Sequence, residues 1–370
     1  MTTSLHGLVL LTQDEIINLV YIPSKQGYEV QEKFPIKSFV IAQDYQVLPQ
    51  MVALNDFIFI GMNQHKKSLV VRLDAPTSLL PQRSIAKSLS KSFGRLGALG
   101  TDGEHLLIAA EGSLILLDRN LEILDRVQLI SQNWSGSENK NVHDILVYQN
   151  RVYLLDNILL PAFLFQVTID TEKKLQITRI LEIQDVYPHL DRQWLNPELE
   201  QWVVIQSSFR QGNYRQNAHI FPLIQGRERL AWQNLYPNFR NMGILNSVGE
   251  VESFKILNVT KMSPAWAIIS QAKESYLVKI NTNNHRIELD EKLQLGITIR
   301  GYTRNWLMLN QDKYIFVFNS TQERSPSFLG WMREQFSNSL VVVDIQENPQ
   351  VILRQNLPFK NTSMLSFLLY

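Results

Sequence analysis

Between residues 95 and 127 the chain alternates short apolar runs with clusters of turn formers. Arg95–Leu99, His105–Ala110, Leu114–Asp118 and Glu122–Val127 are separated by Gly100-Thr101-Asp102-Gly103, Glu111-Gly112-Ser113 and Arg119-Asn120. Runs this short and this often interrupted predict an antiparallel four-stranded sheet rather than helices. One such sheet has two exposed edges and too little core to stand alone, so it needs neighbours.

The rest of the chain supplies them in groups with the same punctuation. Gly7–Leu11, Ile16–Ile22 and Tyr28–Phe34 form a first group that lacks one strand. Gln50–Leu54, Phe57–Met62, Ser68–Leu73 and Leu79–Arg83 form the second. The fourth is His143–Tyr148, Arg151–Asp156, Phe163–Ile169 and Leu175–Leu181. The fifth is Gln193–Leu195, Gln201–Gln206, His219–Leu223 and Arg227–Gln233. Glu252–Leu257, Trp266–Ser270, Tyr276–Ile280 and His285–Asp290 make the sixth. Arg304–Leu309, Lys313–Asn319, Leu340–Ile345 and Gln350–Arg354 make the seventh. Successive groups are spaced by about 40–60 residues, close to the roughly 40–50 of blade repeats.

Seven quasi-repeats of a four-stranded antiparallel unit resemble the seven-bladed β-propeller superfamily in general, over essentially the whole chain. The resemblance implies an all-β single domain, residues 1–370, in which short sheets surround an axis and only protected edges remain. A two-sheet sandwich and a right-handed β-helix are the alternatives. The chain departs from the WD type. Its third strands end in Leu73-Asp74, Leu117-Asp118, Ile169-Asp170 and Val343-Asp344, with the Asp but never the Trp. These aspartates are expected to tighten turns by accepting backbone hydrogen bonds. The leftover apolar run Ser363–Tyr370 is expected to join the incomplete first group and close the ring.

In an up-and-down blade the links between strands two and three, and from strand four to the next blade, share one face. Most of the extra length falls there, in insertions at 84–94, 130–142, 182–192, 207–218, 234–251 and 320–339. Loops carried on a rigid scaffold are where binding residues concentrate. Aromatic and arginine side chains dominate interface hot spots, so Trp134, Tyr187, Arg210, Tyr214, Arg215, Arg240, Phe328, Trp331 and Arg333 are the expected partner-binding residues. Phe328–Phe336 is read as a short helix.

The formal charge of +1 and the 19% of charged residues exclude a uniformly basic nucleic-acid coat. The loop arginines are interrupted by Glu182, Asp191, Glu323 and Glu334, so the expected partner is a protein with an acidic surface, not nucleic acid. The absence of cysteine excludes disulfides, thiolate metal sites and a cysteine nucleophile. Met1–Gly7 has no basic stretch ahead of Leu8–Leu11, and no run reaches membrane-spanning length. A cytoplasmic protein without a membrane span is expected.

There is no phosphate loop, calcium loop or nucleophile elbow, and no cofactor or metal is expected. His143, His189 and Asp191 are the weak catalytic candidates, because His and carboxylate together serve general-base or metal chemistry. The preferred function is a non-catalytic interaction scaffold or assembly factor that uses the loop-rich face. The alternative is a hydrolase, a lyase or a small-ligand binder at the channel mouth on that face.

Overall fold

The computed structural model describes residues 5, 7–12, 15–35, 50–64, 67–74, 86–129, 142–156, 162–183, 189–210, 213–224, 226, 229–235, 255–271, 274–283, 286–297, 302–311, 313–325, 333–359 and 364–369. The first blade contains β1 (Leu8–Thr12), β2 (Glu15–Ile22) and β3 (Gly27–Pro35). The second has β4 (Gln50–Leu54), β5 (Phe57–Gln64), β6 (Lys67–Asp74) and β7 (Ala86–Phe93). The third has β8 (Leu96–Thr101), β9 (Leu106–Ala110), β10 (Ser113–Leu117) and β11 (Ile123–Gln128). The fourth comprises β12 (Val142–Tyr148), β13 (Arg151–Asp156), β14 (Ala162–Ile169) and β15 (Leu175–Ile183), and the fifth β16 (His189–Asn196), β17 (Gln201–Arg210), β18 (Asn213–Pro222) and β19 (Ala231–Asn234). The sixth is β20 (Lys255–Val259), β21 (Ala265–Gln271), β22 (Glu274–Asn283) and β23 (Arg286–Gln294). The seventh is β24 (Tyr302–Gln311), β25 (Tyr314–Ser325), β26 (Arg333–Asp344) and β27 (Gln350–Leu357), with β28 (Met364–Leu369) following.

Each sheet has four strands in simple sequential order, except the first, whose order is β28-β1-β2-β3. Seven four-stranded antiparallel sheets of this kind are the arrangement of a seven-bladed β-propeller. The chain clusters into two compact units. One is Met1–Tyr21 with Glu29–Leu190 and Leu365–Tyr370; the other is Ile22–Tyr28 with Asp191–Met364.

Alternation explains the packing within each unit. In β9 and β10 every residue is buried, because both faces of a central strand meet a neighbouring blade. Leu107, Ala109, Leu114 and Leu116 pack towards the fourth blade with Val152, Leu154 and Phe165. Leu106, Ile108, Ile115 and Leu117 pack towards the second with Phe59 and Val70. The second unit repeats this between its fifth and sixth blades, through Val203, Ile205 and Ile220 against Ala267, Ile269 and Val278. Its sixth and seventh blades meet through Ile268 and Leu277 against Ile315, Val317 and Val341.

Close backbone approach accompanies this packing. A Cβ on Gly100 would lie 2.7 Å from Ile145 Cγ2. The turn between β9 and β10, Glu111-Gly112, has both residues at positive φ (48° and 69°), as a two-residue hairpin requires.

Three glutamines stitch neighbouring strands by gripping both groups of a backbone segment. Gln50 Oε1 accepts from Leu99 N–H (2.7 Å) and its Nε2 donates to Gly97 O (3.3 Å). Gln233 accepts from Ile287 N–H (2.8 Å) and donates to Ile287 O (3.0 Å). Gln355 does the same to Tyr28, at 2.7 and 2.6 Å. An amide side chain matches the donor and acceptor spacing of a peptide group, so each grip satisfies two groups that the ladders leave over.

Three of the four turn aspartates, Asp118, Asp170 and Asp344, accept backbone hydrogen bonds as expected, and the residues that follow Asp74 lie outside the described residues. Asp118 Oδ1 accepts from Asn120 and Glu122 N–H, both at 2.8 Å. Asp170 Oδ1 accepts from Glu172 (2.9 Å) and Lys174 (2.8 Å), and Asp344 Oδ1 from Gln346 (3.0 Å).

Three local expectations are corrected. The outer strand of the second blade is β7, Ala86–Phe93, which pairs with β6; Leu79–Arg83, read as that strand, lies outside the described residues. The β7 sequence AKSLSKSF is polar, because an outer strand faces solvent, and so it reads as a connection. The stretches read as loops at 207–218 and 320–339 are largely strand, since β17–β18 and β25–β26 continue into them. The helix read at Phe328–Phe336 is not formed over Arg333–Phe336, where β26 pairs with β25; residues 328–332 lie outside the described residues.

Candidate interaction surface

The second unit carries two overlong hairpins. β17 and β18 remain paired to their ends, with Ser207 opposite Gln216, Ser208 opposite Arg215, Phe209 opposite Tyr214 and Arg210 opposite Asn213. β25 and β26, twelve residues each, pair through Gln322 opposite Phe336 and Arg324 opposite Glu334 to Ser325 opposite Arg333. Arg210, Tyr214, Arg215 and Arg333 therefore stand on paired strands rather than on loops. Trp134, Tyr187, Arg240, Phe328 and Trp331 lie outside the described residues.

Beneath each tip the apolar core gives way to a buried polar layer. In the fifth blade Gln206, Ser207, Gln216 and Asn217 are buried. Gln216 Nε2 donates to Ser207 Oγ (3.1 Å), while its Oε1 accepts from Ile256 N–H (2.9 Å). In the seventh, Ser320 Oγ donates to Asn338 Oδ1 (2.7 Å) and Thr321 Oγ1 to Asn319 Oδ1 (2.7 Å). Asn338 Nδ2 also donates to Phe359 O. Burying polar groups is tolerable only when they bond one another. Beyond these layers the backbone pairing of each hairpin continues.

The fifth blade also contains a buried imidazole. His219, 1% exposed, lies 2.5 Å from Gln206 Oε1 through Nε2 and 3.1 Å from Arg229 Nη1 through Nδ1. Arginine can only donate, so Nδ1 is the acceptor and Nε2 carries the proton. This neutral tautomer, stacked on Phe221 at 8°, is locked by its partners. The sequence offered no sign of Arg229 in this role.

In the first unit Tyr153, Gln166 and Arg179 form a cross-strand row on β13, β14 and β15. Burial pulls the Arg179 guanidinium down to about 10, partly opposed by Tyr153. Burial pushes the Tyr153 phenol up to about 12. Neither titrates near neutrality, so the row supplies no general acid or base there.

His143 stands half-buried on β12, and His189 and Asp191 stand two residues apart at the start of β16. The side chains of His189 and Asp191 lie outside the described residues. Among the described residues no group of three or more His, Asp or Glu is placed to hold a metal ion, and no helix is long and apolar enough to cross a membrane.

No family model matches this chain, and no curated protein matches it. Solved structures do. A protein from Lactobacillus plantarum superposes with a TM-score of 0.55 at 9% identity, with 99% of each chain covered. A putative 6-phosphogluconolactonase from Bacteroides fragilis gives 0.54 at 12% identity, over 100% of this chain and 99% of the other. The dihydro-heme d1 dehydrogenase NirN, in complex with DHE, gives 0.51 at 14% identity, over 100% of this chain and 76% of its own. At such identities the likeness shows the fold alone.

Proposed function

We propose that this chain is a non-catalytic, cytoplasmic interaction scaffold or assembly factor that engages a protein partner of acidic surface through its extended hairpins and the connections read with them. The observation that carries this reading is the pair β17–β18 and β25–β26, whose backbone pairing continues beyond the buried polar layers. Backbone pairing fixes Arg210, Tyr214, Arg215 and Arg333 in register, and residues held before binding lose less freedom on recognition. Trp134, Tyr187, Arg240, Phe328 and Trp331 complete the proposed surface. Arginines among them favour encounter with an acidic partner without a continuous basic stripe.

The terminal strand is proposed to close the propeller. The order β28-β1-β2-β3 supports this, as does the Gln355 grip on Tyr28, which repeats that of Gln233 on Ile287.

Affinity capture from a native extract tests the interaction. A specific protein retained by the wild-type chain is expected to be lost with a Trp331→Ala/Arg333→Ala variant whose melting temperature is unchanged. Identical captured proteins for the two, or none for either, overturn the reading.

A further inference from the structure

In the first unit a groove of about 460 Å³ lies between β7 of the second blade and the β9–β11 strands of the third. Its floor includes Phe93 and Ile115, both buried. Its far wall is Ile123, which leaves 50% of its surface exposed beside the groove. Covering that exposed apolar surface would contribute to binding in proportion to the area removed from water.

The charges around the groove are unevenly satisfied. Lys91 is engaged, donating to Leu121 O (2.9 Å) and facing the Glu122 carboxylate (3.4 Å). The side chain of Arg126, exposed on β11 directly opposite Ile115, makes no hydrogen bond or ion pair among the described residues. Its guanidinium is therefore a fork of donors available to a carboxylate beside the apolar lining of the groove. Glu111, at the β9–β10 turn, lies at the other end, its side chain against Gly94, where a Cβ would come within 1.9 Å of the carboxyl carbon. Glycine at that position is what leaves room for it.

The register gives the groove a length. Ser113 faces Gln128, Ile115 faces Arg126 and Leu117 faces Ile123, so the distance from the turn to Ile123 is about 13 Å at roughly 3.3 Å per residue. That is the length of about four residues of extended chain, and the volume falls within the roughly 300–1,000 Å³ of specific binding clefts.

We propose that this groove docks an extended peptide in which bulky apolar and acidic residues alternate. Because side chains of an extended chain alternate in direction, the apolar ones lie on Phe93, Ile115 and Ile123. The acidic ones stay along the rim, where Arg126 pairs with one of them. A small amphiphilic anion offers one tail and one charge and leaves most of this length uncovered.

The test uses the full chain and a fluorescein-labelled, acetylated peptide of roughly eight residues alternating leucine and aspartate, followed by fluorescence anisotropy. Saturable binding is expected, with a Kd on the order of 0.1 mM for so small an interface. Arg126→Glu is expected to weaken it at least tenfold, and Ile123→Ser at least threefold, each with an unchanged melting temperature. The peptide with lysine in place of aspartate is expected not to bind. Because the groove shares no residue with the hairpins, Arg333→Ala is expected to bind the peptide like the wild type. Absence of saturation, equal affinity in Arg126→Glu, equal affinity for the lysine peptide, or a loss in Arg333→Ala equal to that in Arg126→Glu each overturns the proposal. So does octanoate binding tighter than the peptide, which would assign the groove to a small amphiphile.

Discussion

In the third blade the two central strands, Leu106–Ala110 and Ser113–Leu117, are five residues each, buried throughout and joined by the two-residue turn Glu111-Gly112. The corresponding strands of the seventh blade, Tyr314–Ser325 and Arg333–Asp344, are twelve residues each. Tyr314–Phe318 and Leu340–Val343 form the buried apolar half; Asn319, Ser320, Thr321 and Asn338 follow as a buried polar layer. The continuous apolar run buried on both faces is Leu106–Ala110 in the one strand and Tyr314–Phe318 in the other, and in the seventh blade polar residues carry the burial further. Backbone pairing carries the hairpin on to Ser325 opposite Arg333, past the buried polar residues that follow the apolar run.

The sharpest way to break this comparison is to damage the short blade. Leu116, fully buried in the core shared with the fourth blade, is expected to cost about 2–5 kcal/mol as Leu116→Ala, read as a loss of ΔG in urea unfolding. Joining Thr321 to Ser337, which face each other in the seventh blade, by an Asn-Gly turn removes the hairpin tip. It is expected to change stability by less than about 1 kcal/mol. A large loss on this shortening would mean that the tip belongs to the core.

The polar layer comes next in size. Asn338→Ala removes the acceptor for Ser320 and the donor to Phe359 and is expected to cost about 1–3 kcal/mol, seen as a lower urea midpoint with an unchanged slope. Gln355→Ala, which frees both backbone groups of Tyr28, is expected to cost about 1–2 kcal/mol. Exchange of the Tyr28 amide hydrogen should accelerate with it.

The smallest expected effect sharpens the third blade. Asp125 accepts from Leu175 N–H at 2.7 Å. That bond, aided by Arg126 N–H and Lys174, holds its carboxyl below the usual range against a smaller opposing effect of burial. A lowered folded value means that the stabilisation is present above the unfolded value of about 3.9 and is lost as pH falls through the folded one. Asp125→Asn is therefore expected to melt lower than wild type at pH 7, with the difference closing towards pH 3.

How much of this was legible depended on which strand was being read. The third blade could be placed to within a residue or two, because its inner strands are continuous apolar runs between turn formers. The turn aspartates Asp118, Asp170 and Asp344 were legible too, since their side chains act on backbone two to four residues away. The outer strand β7 was missed because AKSLSKSF carries almost no apolar alternation. The extended hairpins were missed because Ser207, Gln216, Ser320, Thr321 and Asn338 are polar yet buried, and polarity reads as loop. His219 was visible as a histidine, whereas its lock between Gln206 and Arg229 joins residues ten and thirteen positions away.

By itself the sequence determined the repeat: how many sheets, their antiparallel order and the tight turns within them. Each of these is set by hydrophobic alternation and turn chemistry over a few neighbouring residues. Only the tertiary structure decided which polar stretches are strand, which glutamine grips which distant peptide group, and that Arg126 lines one groove with Phe93 and Ile115. Those outcomes depend on which surfaces meet once blades stack, and residues far apart in the chain carry no local mark of the neighbour they will find.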